Sequence, residues 1–280
     1  KLASATKEDD FIDNMFMANT HDYILCFSSL GRVYWVKVYN VPQGGRGSKG
    51  KPINNLLQLE KEEKINAVLP VKAFDDNRYI FMATTLGTVK KTPLSEFSRP
   101  RSNGIIAIAL DEGDYLIGVA LTEGNHDVML FSDGGKAMRF NENDVRPVGR
   151  GARGVRGMKL GAGQKVISLL VAENEELTVL TATENGYGKR TPISEYTRHN
   201  RGTQGMIAIN TSARNGKVVA AQLVKQDDEI MLITTGGILI RTRVSEIREM
   251  GRATQGVTLI NLDPGEKLVG LERVIEADED

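Results

Sequence analysis

Several residue types are scarce in this 280-residue chain, and each scarcity closes a line of function. There is one cysteine, Cys26, so no disulfide can form within the chain. It stands in the apolar run at residues 23–27, where a small buried hydrophobe is expected rather than a nucleophile. The three histidines, His21, His126 and His199, stand at strand entrances or in a loop, and no Cys/His spacing suggests a zinc site. Acids are numerous but dispersed, with no pair that recurs along the chain, so a carboxylate pair of the glycosidase kind cannot be named. Aromatics make up 6% of residues and Trp35 is the one tryptophan, which is poor material for stacking platforms that hold single strands. No apolar run approaches the roughly 18 residues of a membrane-spanning helix, and Lys1-Leu2-Ala3-Ser4 does not begin a signal peptide. The expectation is a soluble intracellular chain with no catalytic, metal or cofactor machinery.

Net charge is also missing: 36 Lys and Arg balance 36 Asp and Glu. A neutral average argues against a nucleic-acid binder, but the distribution reverses that argument. Residues 146–157 read Arg-Pro-Val-Gly-Arg-Gly-Ala-Arg-Gly-Val-Arg-Gly, with arginines and no acid. Weaker relatives occur at residues 43–51, 98–104, 197–205 and 248–256. These loops are nearly free of acid, so the rest of the chain carries the balancing negative charge, and a segregation of this kind creates a local field that the average conceals.

What is present besides charge is a repeat. Short apolar runs at residues 23–27, 79–82, 128–131, 177–180 and 230–233 are each followed by a Ser/Thr-x-x-Gly turn, with glycines at Gly31, Gly87, Gly135, Gly186 and Gly237. The units are about fifty residues long, a period typical of propellers and solenoids. After each turn comes a strand-like segment, then the basic Gly-rich loop, then a strand at residues 53–57, 105–110, 158–160, 206–210 and 257–262. A last strand follows at 65–71, 115–121, 166–171, 218–224 and 268–274. Residues 93–97 and 192–196 can form single helical turns. Four short strands per unit bounded by Gly, Asn and Asp turns predict an all-β, propeller-like fold. A further copy of the last strand at residues 11–18 gives six blades, the first truncated before Lys1, in one domain over 1–275. Residues 276–280 begin an acidic tail that could repel DNA or occupy the basic loops.

Residues 45–51 nearly match a phosphate-binding loop, but Pro52 supplies no hydroxyl for magnesium and a strand follows, so a nucleoside triphosphate site is rejected. The basic loops themselves suit a long polyanion. Arginine's fork pairs with phosphate oxygens while glycine keeps the approach clear, and duplex DNA held by its backbone fits better than base readout. The residues expected on phosphates are Arg46, Lys49 and Lys51 in the first loop, Arg99 and Arg101 in the second, Arg146, Arg150, Arg153 and Arg156 in the third, Arg198 and Arg201 in the fourth, and Arg248 and Arg252 in the fifth. Lys90, Lys91, Lys189, Arg190 and Arg241 are expected to extend this surface along the blade faces.

Residues 8–13 (Glu-Asp-Asp-Phe-Ile-Asp), residues 18–29 and residues 50–57 (Gly-Lys-Pro-Ile-Asn-Asn-Leu-Leu) closely resemble the C-terminal domain of the bacterial DNA gyrase A family, and the repeat pattern resembles that of the type IIA topoisomerases. The resemblance covers essentially the whole chain. It implies a six-bladed β-pinwheel with strands shared between adjacent units, whose rim wraps DNA and supports negative supercoiling. It also implies the rest of gyrase A and gyrase B as partners, the nucleoid-associated bacterial cytoplasm as location, and catalysis in other domains. The family's Gln-Arg/Lys-Arg-Gly-Gly-Arg/Lys-Gly box is absent in strict form. Residues 43–50 are its nearest degenerate copy, and the register places the strict box just before Lys1. The corresponding domain of topoisomerase IV, whose boxes are degenerate, is the alternative comparison. A protein-binding propeller is the alternative from another class, and it calls for an aromatic-rich face and salt-insensitive affinity.

Overall fold

The computed structural model describes residues 23–37 and 57–275. They belong to two compact units, one comprising Lys1–Gly124 with Val145–Val155 and the other Asn125–Asp144 with Arg156–Asp280. Regular structure in both consists of strands and single 3-10 turns. The first unit contains β1 (Tyr23–Ser28), β2 (Arg32–Lys37), β3 (Ile65–Val71), β4 (Tyr79–Thr84), β5 (Thr88–Pro93), β6 (Ile105–Ile106) and β7 (Leu116–Thr122). The second begins with β8 (Asp127–Ser132) and β9 (Lys136–Asn141). After β10 (Val155–Arg156) it continues through β11 (Val166–Ala172), β12 (Thr178–Thr183), β13 (Tyr187–Pro192), β14 (Met206–Ile207) and β15 (Val218–Val224) to β16 (Glu229–Thr234), β17 (Leu239–Arg243), β18 (Val257–Thr258) and β19 (Leu268–Val274).

The Ser/Thr-x-x-Gly signature has a direct structural cause. In the β12–β13 hairpin, Gly186 N–H donates to the Thr183 carbonyl at 3.0 Å and Tyr187 N–H to Thr183 Oγ1 at 3.3 Å. The same two bonds recur at Ser28, Thr84, Ser132 and Thr234. Gly186 has φ +88, and a Cβ there would lie 2.5 Å from the Ile260 carbonyl oxygen, so only glycine fits. That oxygen is close because Leu259 and Ile260 both direct their N–H groups at the Gly186 carbonyl, at 2.7 and 3.2 Å. The turn is thus also the docking point for the following repeat.

Strand sharing follows from that docking. The sheets run β3-β1-β2-β6, β10-β5-β4-β7, β11-β8-β9-β14 and β15-β12-β13-β18, and the outermost short strand of each comes from the next repeat. The fifth sheet has three strands among the described residues, β17-β16-β19. Each long last strand carries a register irregularity at one position, where Ser28, Thr84, Ser132, Thr183 and Thr234 end their strands. The all-β class of small antiparallel blades expected from the repeats is present, with five sheets among the described residues where six blades were expected. The expected strand at 11–18, the loop at 43–51 and the acidic tail lie outside the described residues.

The post-loop strands differ from expectation in length and, once, in place. Among the described residues they are two residues long, and the one expected at 158–160 lies at Val155–Arg156, with Met158 buried after it; the one expected at 53–57 lies outside the described residues but for Leu57. After β6, β14 and β18 the chain leaves the sheet because the next two N–H groups turn onto the hairpin glycine: Ala107 and Ile108 onto Gly31 at 2.8 and 3.2 Å, Ala208 and Ile209 onto Gly135 at 2.8 and 3.3 Å, and Leu259 and Ile260 onto Gly186.

The core lies between successive sheets of one unit. Leu25 and Phe27 of β1 pack with Ile80 and Met82 of β4 in the first unit. In the second, Met129 and Phe131 of β8 pack with Val179 of β12, and Leu180 of β12 with Ile230 and Leu232 of β16. Cys26 is fully buried, and burial pushes its thiol up to about 12, as suits an inert core residue.

Candidate nucleic-acid interface

Each basic loop among the described residues starts from an apolar plug. The 3-10 turns at Leu94–Phe97 and Ile193–Glu195, each preceded by the expected proline, deliver Phe97 and Tyr196 into the core, where they meet Phe27 and Phe131 edge-on at 6.0 and 5.8 Å. Val145 and Ile247 take the corresponding place and are also buried. These aromatics are therefore anchors and do not face a ligand.

The plugs are fastened by the preceding hairpin. Trp35 Nε1 donates to the Phe97 carbonyl at 2.8 Å, Arg139 Nη1 to the Tyr196 carbonyl at 3.2 Å and Arg190 Nε to the Ile247 carbonyl at 2.8 Å. These three occupy one position of the repeat, so a guanidinium there performs the same act as an indole. Lys91 stands at this position too. It is buried, its ammonium lies 4.8 Å from the centre of the Tyr79 ring, and its carbonyl accepts from Val148 N–H at 2.8 Å. The Arg139 and Arg190 carbonyls likewise accept from His199 and Met250 of the next loop, both at 2.8 Å.

The neighbouring hairpin position holds the loop from inside. Lys90 and Lys189 are fully buried. Lys90 Nζ donates to the carbonyls of Ala107 and Arg150, at 3.0 and 2.5 Å. Lys189 Nζ donates to the carbonyl of Gly251 at 2.7 Å, to Thr254 Oγ1 at 3.0 Å and also to the Arg252 carbonyl. Burial lowers both lysines to about 8; Glu96 and Glu195 oppose the shift while Arg150 and Arg252 add to it. A tight Gly-rich loop turns its carbonyls inward, and a buried ammonium satisfies several at once. In the β8–β9 hairpin the same place is taken by Met138, whose sulfur accepts from Thr203 Oγ1 at 3.1 Å. The loop then closes on glycine: Gly256 has φ +77, and a Cβ there would lie 2.6 Å from the Gly188 carbonyl oxygen.

These contacts correct the expectation for the hairpin cations. Lys90, Lys91, Lys189 and Arg190 do not line an outer blade face; they are buried and engaged with the loop backbone or a ring. Arg241 is exposed but ion-paired with Glu229. Consecutive cations read as surface in a sequence, whereas packing of a blade on both faces hides both sides of its strand.

One arginine in each of three loops is likewise a fastener. Arg252 reaches the Glu195 and Ile207 carbonyls, both at 2.7 Å, and Arg201 the Asp144 and Arg156 carbonyls, both at 3.0 Å. Arg150 Nη1 reaches the Ile106 carbonyl at 3.2 Å. All three are half-buried. Arg198 is exposed, but its guanidinium pairs at 2.9 Å with the buried carboxylate of Asp127. Asp127 also receives Arg139 Nε at 2.8 Å and Asn141 Nδ2 at 3.1 Å. Burial would raise this carboxyl, but the bonds from Arg198, Arg139 and Asn141 outweigh it and hold the group below its ordinary value.

What remains outside is a smaller set. Arg99, Arg101, Arg146, Arg156 and Arg248 are exposed and find no ion-pair partner among the described residues. Arg153 is exposed and pairs with exposed Asp111 at 3.0 Å, a contact worth little in water. In the first unit Arg99, Arg101 and Arg150 border a concavity of about 390 Å³ together with Ser95, Glu96 and Ser98. Arg46, Lys49 and Lys51 lie outside the described residues. Among the described residues no acidic, Cys or His cluster could hold a metal, and no helix is long and apolar enough to cross a membrane.

Small antiparallel blades that exchange their outer strands, with arginine loops at the exchange points, define an all-β propeller-like domain. The family model described as "DNA gyrase C-terminal domain, beta-propeller" matches residues 22–72, 78–123, 126–173, 178–225 and 228–275, one match per repeat. The chain belongs to that family. It is 56% identical over 280 residues to the DNA gyrase A protein of Salmonella typhimurium, covering 100% of this chain and 32% of that protein. The chain thus spans about a third of the length of the curated relatives it matches. Among solved structures, a DNA gyrase A C-terminal domain is similar with a TM-score of 0.77 and 30% identity, covering 92% of this chain and 84% of that one. The C-terminal domain of a DNA topoisomerase IV is similar with a TM-score of 0.84 and 26% identity, covering 91% of this chain and 80% of that one.

Proposed function

We propose that this domain binds duplex DNA through its phosphate backbone and bends it around the basic loops. In doing so it supports negative supercoiling by a gyrase formed with the rest of gyrase A and with gyrase B in the bacterial cytoplasm. The domain comprises residues 1–275, and it contributes DNA geometry while bond breakage and ATP hydrolysis lie elsewhere. The observation that carries this reading is the set of exposed arginines without acidic partners, Arg99, Arg101, Arg146, Arg156 and Arg248, on loops whose other cations are used internally. A cation left unpaired beside others of its own sign is poised for an external anion, and glycine neighbours let a bulky one approach.

Bending a site through 40–90° costs on the order of 1–6 kcal/mol, so contacts from several repeats have to combine. The test is the salt dependence of duplex binding. Replacing Arg146, Arg153 and Arg156 by alanine should lower the slope of log K against log [salt] by about 2–3, since each neutralised phosphate contributes about 0.9. Arg150 is left in place because it fastens the loop. An unchanged slope would remove this loop from the interface, and salt-insensitive binding by the parent chain would favour a protein partner.

A further inference from the structure

Two residues beyond each loop-closing glycine stands the second residue of the shared strand, exposed in all four: Ile106, Arg156, Ile207 and Thr258. Ile106 is 54% exposed and Ile207 is 37% exposed. Isolated exposed apolar side chains are ordinary, but these two recur at one position and are held in one way. Across the strand pair Ile106 faces Arg32 and Ile207 faces Lys136, so each isoleucine has a cation beside it on the same sheet face. The Ile106 carbonyl accepts from Arg150 Nη1 at 3.2 Å and the Ile207 carbonyl from Arg252 Nη1 at 2.7 Å. The backbone bearing each isoleucine is therefore pinned by an arginine from the next loop. In the third repeat Arg201 pins the Arg156 carbonyl in the same manner at 3.0 Å.

A β-branched side chain on a pinned two-residue strand, with a cation across the strand pair, matches one anionic target closely. A duplex presents apolar base faces between two rows of phosphates, and proteins that kink it insert Ile, Leu, Phe or Pro between base steps from the minor groove. A loose surface isoleucine would fold back on its own sheet; a pinned one can transmit force to a stack. The presence of Arg156 at the equivalent place agrees with this, because arginine is the side chain drawn into narrow minor grooves.

We propose that Ile106 and Ile207 are wedges that enter the minor groove of bound duplex DNA and part a base step, with the cross-strand cations Arg32 and Lys136 directed to the flanking phosphates. This rests on the DNA-binding reading above and adds to it a groove, a kinking element and a preference for steps. Pyrimidine–purine steps unstack most readily, so TA and CA steps are favoured at the wedge positions.

The experiment uses the intact 280-residue chain and duplexes carrying 2-aminopurine beside successive TA steps, with a donor–acceptor pair at the ends. The parent should raise 2-aminopurine fluorescence and shorten the end-to-end distance. Ile106→Ser with Ile207→Ser should keep the salt slope and the melting temperature, abolish the fluorescence rise, reduce the shortening, and weaken binding on the order of tenfold as apolar burial is lost. Ile106→Leu with Ile207→Leu should restore all three. Persistence of the rise and the bend in the serine variant overturns the wedge. So does their absence in the parent when its binding is salt-dependent, which leaves the DNA reading intact. A parent that shows no salt-dependent binding overturns the DNA reading and the wedge with it.

Discussion

The third and fifth loops are built on one frame and carry different surfaces. Each is held from inside by a buried lysine, Lys90 or Lys189, and fastened outside by an arginine, Arg150 or Arg252, on the carbonyl of an outward isoleucine. The inner lysine and the outer arginine coincide in position, whereas Pro147, Arg153 and Arg156 of the third loop stand opposite Glu249, Gln255 and Thr258 of the fifth. Arg146 and Arg248 correspond and are both exposed. Cations of two kinds therefore alternate within a few residues, those that hold the loop and those that the loop displays.

If displayed charge is what separates the two loops, moving it should move the binding. Gln255→Arg with Thr258→Arg should steepen the salt dependence of DNA affinity by nearly two, at about 0.9 per added phosphate contact. Melting temperature should hardly change, since exposed substitutions stay within about 0.5 kcal/mol. A steepened slope that also appears after Arg252→Lys alone would show that the frame itself contributes. The next largest effect concerns the frame. Lys90→Met and Lys189→Met, which copy Met138 at the equivalent place, should each cost about 1–3 kcal/mol in urea denaturation through carbonyls left without donors. Lys189, with more acceptors around its ammonium than Lys90, should cost more. Equal losses would mean that packing and not carbonyl satisfaction sets the cost.

The smallest expected effect is on pH dependence. Burial holds both lysines near 8, below their ordinary 10.5. Between these values the unfolded chain keeps a proton that the folded chain has released, so stability rises with pH across that window. Below about pH 8 both states are protonated and the penalty of the buried charge is fully present. The double methionine variant should lack this rise. A parent whose stability falls between pH 8 and 10.5 by more than the variant's would show that the charged form is the one the fold prefers.

The repeats are legible because the physics that makes them is local. A Ser or Thr hydroxyl and a glycine with positive φ are needed within four residues to close each hairpin, so the pattern survives in the sequence. The long last strands are legible for a similar reason, and Val218–Val224 and Leu268–Val274 lie where alternation places them. The shared strands are harder. Two residues of pairing leave no periodicity to read, and in the third repeat Met158-Lys159-Leu160 is more strand-like than Val155-Arg156, which forms the strand. The loops stand out by their charge, but that charge makes all their arginines look equal. Nothing in the local spelling separates Arg252, which spans two carbonyls contributed by residues 45 and 57 positions away, from Arg248, which faces solvent.

By itself, then, the sequence determined the repeats, their hairpins and long last strands, and the position of the cationic loops, because each depends on turn chemistry and alternation within a few residues. The tertiary structure alone decided which cations are free. Whether a lysine or arginine faces water or a ring of carbonyls depends on which repeat packs beside it, and that distance along the chain is too long for any local pattern to encode.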